Sequence, residues 1–255
     1  MSFEQTVLLA AIAGATIFLG LPVGRLRNLS SRSQALLTTG AAGVILFLLW
    51  DILTAAVEPV EAAVVDGPFD DMVVKTTAFA VSIALGLLSL VWFSRRVARR
   101  RAEGLSAHDV AMGTAVGLGL HNFSEGLAIG QSAATGATSF ALILVIGFAL
   151  HNTTEGFGIA APLTTGSRPS WTFLATLGLV GGGPTFVGGV VGYSFVSPLL
   201  SIIFLGLAAG ALIYIFNEMM SVSRKFAEPI VANVALLVGL LLAFGTDFFL
   251  EAAGG

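Results

Sequence analysis

The sequence predicts an all-α polytopic membrane protein, a single bundle of eight transmembrane helices with both termini outside. Three observations carry this prediction. Of the 255 residues 56% are hydrophobic and only 11% charged, whereas a soluble domain carries roughly 25% charge to keep its surface hydrated. The apolar residues fall in blocks that can cross a hydrocarbon layer, which takes about 20 helical residues. The basic residues gather in alternate joints between those blocks.

The blocks run 5–21, 35–57, 73–93, 107–133, 139–161, 171–195, 199–220 and 230–250, one transmembrane domain over 1–255. Polar or Pro/Gly-containing joints separate them, the shortest at 196–198. Arg25, Arg27 and Arg32 follow the first block, and Arg95, Arg96, Arg99, Arg100 and Arg101 the third. Arg168 follows the fifth, and Arg224 and Lys225 the seventh. Eleven of the twelve Lys and Arg thus lie in alternate joints, Lys75 being the exception. A wrong block count would scatter them over both sides. The positive-inside rule places these joints in the cytoplasm. The joint 58–71 is then an outer loop, and it carries Glu58, Glu61, Asp66, Asp70 and Asp71. Such a patch can concentrate cations, or it can be an ordinary solvated loop.

No basic stretch precedes the first block, so a cleavable signal peptide is not expected. The chain has no cysteine, which excludes disulfides and thiolate metal sites. The Arg95–Arg101 cluster reads as a topology determinant and a contact for anionic lipids. Membrane lipids and divalent cations are the expected partners, and nucleic acid is not.

The fourth and fifth blocks carry one motif each. His121-Asn122-Phe123-Ser124-Glu125-Gly126 recurs thirty positions later as His151-Asn152-Thr153-Thr154-Glu155-Gly156. His and Glu at i and i+4 share a helix face. Each motif starts about fourteen residues, or roughly 21 Å, into its helix. A short joint makes the two helices antiparallel, so the motifs meet near mid-membrane. Small residues on the same stripes (Gly117 and Ala128; Gly147 and Gly158) are expected to let these two helices approach closely. An intramembrane charge costs roughly 2.5–3.5 kcal/mol or more. Two Glu and two His at one depth therefore call for a common partner, and a divalent cation is the simplest. His and carboxylate without thiolate suit Zn, Fe, Mn, Co or Cd rather than Cu(I).

These residues resemble a known family. HNFSEGLAIG and HNTTEGFGIAAP are similar to the fourth and fifth helices of the ZIP (Zrt-, Irt-like protein) metal transporters, bacterial and archaeal branch. Looser similarity covers LLTTGAAGVILFLLWD and GLAAGALIYIFNE. The resemblance implies eight helices with both termini outside, a homodimer, a prokaryotic plasma membrane, and transport of divalent cations rather than enzymatic activity. Zinc is the first expectation, with iron, manganese and cadmium as others. It makes His121, Glu125, His151 and Glu155 core metal ligands, and Asn122 and Asn152 ligands to a second, adjacent ion.

Two departures stand out. The family commonly has Pro where Ser124 and Thr154 stand, and Ser or Thr bends a helix more mildly by bonding the i−4 carbonyl. The family's sixth helix commonly carries a metal-ligating Glu just before a Pro, whereas here Gly183 precedes Pro184. Two 2+ ions about 4 Å apart repel by about 16 kcal/mol at an effective dielectric of 20. With only Glu125 and Glu155 to offset that, one core ion is expected, and Gly183→Glu is expected to raise occupancy toward two.

Depth places Asp51 and Asp247 at an outer entrance and Glu218 at an inner exit. His108 is a further exit residue, while Asp109 reads as the partner of Ser106 in a capping box. Pro184 is expected to break the sixth helix, and Gly206-x-x-x-Gly210 to pack closely on a neighbour. Two other readings stay open on sequence grounds: a non-transporting metal-binding protein or sensor, and an intramembrane metallohydrolase, although no His-Glu-x-x-His motif is present.

Overall fold

The computed structural model describes residues 1–27, 30–98, 106–165, 167–195, 197–226 and 228–252. Within these it leaves the side chains at 31, 34, 35, 97, 98, 140, 143, 151, 165, 222–226 and 249–251 undescribed. All regular structure among the described residues is helical. In order these are α1 Phe3–Ala15, α2 Ile17–Gly20, α3 Ser31–Asp66, α4 Phe69–Ala98, α5 Ala107–Ala134, α6 Thr138–Ala160, α7 Trp171–Ser194, α8 Pro198–Phe226 and α9 Pro229–Ala252. Single turns of 3-10 helix follow α2 and α6.

Local chemistry sets the ends. Ser2 with Gln5 and Ser106 with Asp109 form capping boxes at the starts of α1 and α5, as read for Ser106, each satisfying otherwise orphaned amides. The first apolar block is interrupted at Thr16, whose N–H bonds the Ala13 carbonyl, so α1 and α2 form one broken rod.

The acidic stretch 58–71 is not the loop expected. α3 continues through Pro59 to Asp66, and Gly67-Pro68 alone separates it from α4, whose first turn holds Asp70 and Asp71. The strong helix formers Glu and Ala after Pro59 carry the helix onward. At ~1.5 Å per residue a helix of 36 residues outruns a ~30 Å hydrocarbon layer, so its acidic end projects beyond it.

α7 is likewise continuous through Pro184. Proline leaves the carbonyl four residues back without its helical donor. That carbonyl, Val180 O, faces Gly119 of α5, lying 2.4 Å from where a Cβ there would sit. The neighbour's backbone thus covers the fault.

Among the described residues six helical segments are long and apolar enough to cross a membrane: Phe3–Arg25, Leu36–Asp66, Phe69–Arg96, Trp171–Ser194, Pro198–Ser221 and Pro229–Phe248. This is an integral membrane bundle. α5 and α6, which carry the two motifs, are not among those six segments. Glycine brings the helices together. Gly126 of α5 meets the Thr185 carbonyl and Gly188 of α7 meets the Phe123 carbonyl, in each case 2.1 Å from an added Cβ. Gly206 and Gly210 of α8 meet Ser82 and Ile83 of α4, the close packing read for that pair. The expectation for Gly117 and Gly158 is corrected: they face Ile215 of α8 and Ala41 of α3. The motif helices are wedged between flanking helices more than against each other.

The two ends of the bundle differ. The N-terminal amine bonds Thr138 at the start of α6, and Tyr193 at the end of α7 bonds the Met1 carbonyl. At the other end Arg25 bonds the Pro169 carbonyl and lies over the Trp171 ring.

Candidate metal centre

Five motif polar groups lie on the inward faces of α5 and α6. Asn122, Asn152, Glu155, Glu125 and His121 are all at most 4% exposed. His121 Nε2 is 3.3 Å from Glu125 Oε1 on its own helix and 3.5 Å from Glu155 Oε1 on the other. The structure thus brings five of the six predicted core residues together. The sixth, His151, lies on α6 with its side chain outside the described residues.

The asparagines do something the sequence reading did not anticipate. Asn122 Nδ2 donates to Glu155 Oε2 at 2.8 Å and to the Gly181 carbonyl of α7 at 3.0 Å. Asn152 Nδ2 donates to Glu125 Oε2 at 3.4 Å and to the Ala13 carbonyl of α1 at 3.1 Å. Each motif's Asn therefore braces the other motif's Glu to the backbone of a third helix. The following glycines repeat the pattern, Gly126 packing on α7 and Gly156 on Ile17 and Gly20 of α2. The sequence repeat has become a pseudo-twofold site in which α1–α2 and α7 are equivalent walls. The identical Asn in both motifs was a signal for this, but the carbonyls of Gly181 and Ala13 that anchor it are main-chain atoms and left no mark in the sequence.

Asn122 Oδ1, Asn152 Oδ1 and Glu155 Oε1 are buried and accept no hydrogen bond among the described residues. A buried acceptor left so costs about 1–3 kcal/mol. Among the described residues no three His, Asp or Glu side chains are already gathered as a metal-holding group. His121 Nε2 lies beside one oxygen of each carboxylate, and an asparagine amide holds the other oxygen of each. Ser124 bonds the Leu120 carbonyl, the mild i−4 arrangement expected where the family commonly has Pro, and α5 runs unbroken through it.

Gly183 does not face this centre. A Cβ there would meet nothing within 4 Å, and helical periodicity puts it on the side of α7 that carries exposed Leu179, Phe186 and Val187. The expectation that a carboxylate at 183 completes a two-ion core is thus corrected.

Asp51 of α3 is within electrostatic reach of Asp247 of α9 and of His121. Phe47, Trp50, Phe244 and Phe248 flank them, with ring centroids 4.8–5.9 Å apart. Glu218 lines a cavity between α4, α5 and α8 with Ser94, Asp109, Thr114 and Tyr214. His108 is not among its lining residues, its ring lying 4.7 Å from that of Phe173.

A membrane bundle that buries two carboxylates, an imidazole and two amides at the crossing of two helices has the equipment of an ion transporter. The sequence pattern of the ZIP zinc transporters matches residues 94–247. The match covers both motifs, and the chain belongs to that family, whose members transport divalent metal cations and are not enzymes. No curated protein sequence matches the chain.

Proposed function

We propose that this protein moves a divalent transition-metal cation toward the cytoplasm, zinc first and iron, manganese or cadmium as alternatives, through a site made by His121, Asn122, Glu125, His151, Asn152 and Glu155. The observation that carries the site is the cross-braced pair of Glu and Asn between α5 and α6. Two carboxylates balance one 2+ charge, and amide oxygens that now lack donors add neutral ligands. The ion is drawn in past Asp51 and Asp247 and leaves past Glu218.

Eight spans support this route better than six. α5 and α6, with 28 and 23 residues, are about 42 and 35 Å long, enough for a ~30 Å layer. α6 also presents the apolar stripe Leu142, Ile146 and Leu150 outward at helical spacing. With eight spans the basic joints all lie inside and both termini outside, in what the resemblance makes a prokaryotic plasma membrane.

Zinc-65 uptake into proteoliposomes tests transport. Glu125→Ala or Glu155→Ala is expected to reduce uptake at low zinc by at least ~100-fold, with the protein still folded and inserted. Near-normal uptake by either variant would remove the site from consideration.

A further inference from the structure

The pseudo-twofold site is unequal in one respect. On the α1 wall the Ala13 carbonyl, held by Asn152, also accepts from Thr16 Oγ1 at 2.7 Å. On the α7 wall the Gly181 carbonyl, held by Asn122, has a threonine four residues on, Thr185. A helical threonine ordinarily bonds that i−4 carbonyl, as Thr114, Thr153 and Thr176 do in this protein. Thr185 does not. Its hydroxyl is fully buried and has no hydrogen-bond partner among the described residues, and it is turned toward Gly14 of α1.

We infer that Thr185 is a positioning residue that exchanges with Asn122 when the cation binds. The inference rests on the site proposed above. In the structure the Asn122 amide occupies both Glu155 Oε2 and the Gly181 carbonyl, and its Oδ1 is unpartnered. A cation held by Glu155 and Asn122 needs Oδ1 where Nδ2 now stands, so the amide turns and releases the Gly181 carbonyl. One χ1 step carries the Thr185 hydroxyl onto that carbonyl, which then has a threonine donor as the Ala13 carbonyl has in Thr16. The arrangement with Asn122 on the Gly181 carbonyl thus leaves a buried hydroxyl unsatisfied, and turning of the amide on loading satisfies it. An interaction made only in the loaded state favours binding, and the cost of an unsatisfied buried hydroxyl corresponds to about ten-fold in affinity.

Equilibrium zinc-65 binding and thermal unfolding of the purified, detergent-solubilised protein test this. Thr185→Val keeps the shape and removes the hydroxyl. It is expected to bind about ten-fold more weakly while its metal-free form melts at an equal or higher temperature. Thr185→Ser is expected to bind like the unaltered protein. Thr185→Ala, which also lacks the hydroxyl, takes the place of Thr185→Val should that variant fail to fold. A hydroxyl with only a structural role would lower metal-free stability when removed and leave affinity unchanged, and unchanged affinity in the variants lacking it overturns the inference. Glu155→Gln separates the two levels. If it abolishes binding while Thr185→Val is neutral, only the exchange is wrong. If Glu155→Gln also binds normally, the site itself is wrong and the exchange falls with it.

Discussion

Each polar side chain in the centre answers to a partner on a different helix. Glu125 and Glu155 are tied crosswise by Asn152 and Asn122, so neither motif works alone. This bears on how many ions the core holds. The two carboxylates offset one 2+ charge, and α7 contributes no third because Gly183 lies on its outward side. Purified protein titrated with cadmium is therefore expected to saturate at one core ion per protomer. Gly183→Glu is expected to leave that number unchanged, since open space beside Gly183 admits the side chain without directing it inward. Two tightly bound core ions in the unaltered protein, counted by elemental analysis or anomalous diffraction, would show that charge counting omitted an acid assigned to the entrance or exit. The motif residues themselves were legible from their repetition and spacing. The Gly181 and Ala13 carbonyls and Thr185 were not, because a main-chain acceptor or a lone threonine carries no signature until the helices are packed.

The helices meet through backbone at glycine rather than through interlocking side chains. Without a hydrophobic driving force inside lipid, close packing and interhelical hydrogen bonding supply the association. Gly126 is the sharpest case, with the Thr185 carbonyl 2.1 Å from where a Cβ would stand. Gly126→Val is expected to push α5 from α7 at a cost of about 1–3 kcal/mol, seen as a melting temperature lower by about 5 °C in detergent. Gly113→Val on the same helix serves as the control, since a Cβ there meets nothing within 4 Å, and it is expected to melt like the unaltered protein. Equal losses in the two would mean that helix propensity, not the α5–α7 contact, is what glycine supplies. Helix positions were readable from apolar blocks and caps to within a few residues for most elements. α3 escaped this: its acidic, proline-containing end reads as loop, yet Glu and Ala on either side of Val60 extend the helix.

At the scale of the molecule the polar motif helices sit among six more apolar segments, and the two ends of the bundle are chemically distinct. Arg25 with Trp171 marks one end, and Met1 with Thr138 and Tyr193 the other. If the basic end is cytoplasmic, a cysteine replacing Asp66 is labelled by an impermeant maleimide in intact cells, and one replacing Arg96 only after permeabilisation. The reverse pattern would exchange entrance and exit. Taken alone, the sequence determined the membrane class, the division into helices, the sidedness expected from its arginines, and the repeat that names the centre. These are set by local composition and period, which survive in one dimension. Tertiary structure decided which walls the motifs lean on, that Gly183 looks outward, that Pro184 is covered rather than broken, and that one threonine is left waiting. Those depend on rotation and depth of one helix against another. Backbone contacts fix these, and backbone atoms are the same in every residue.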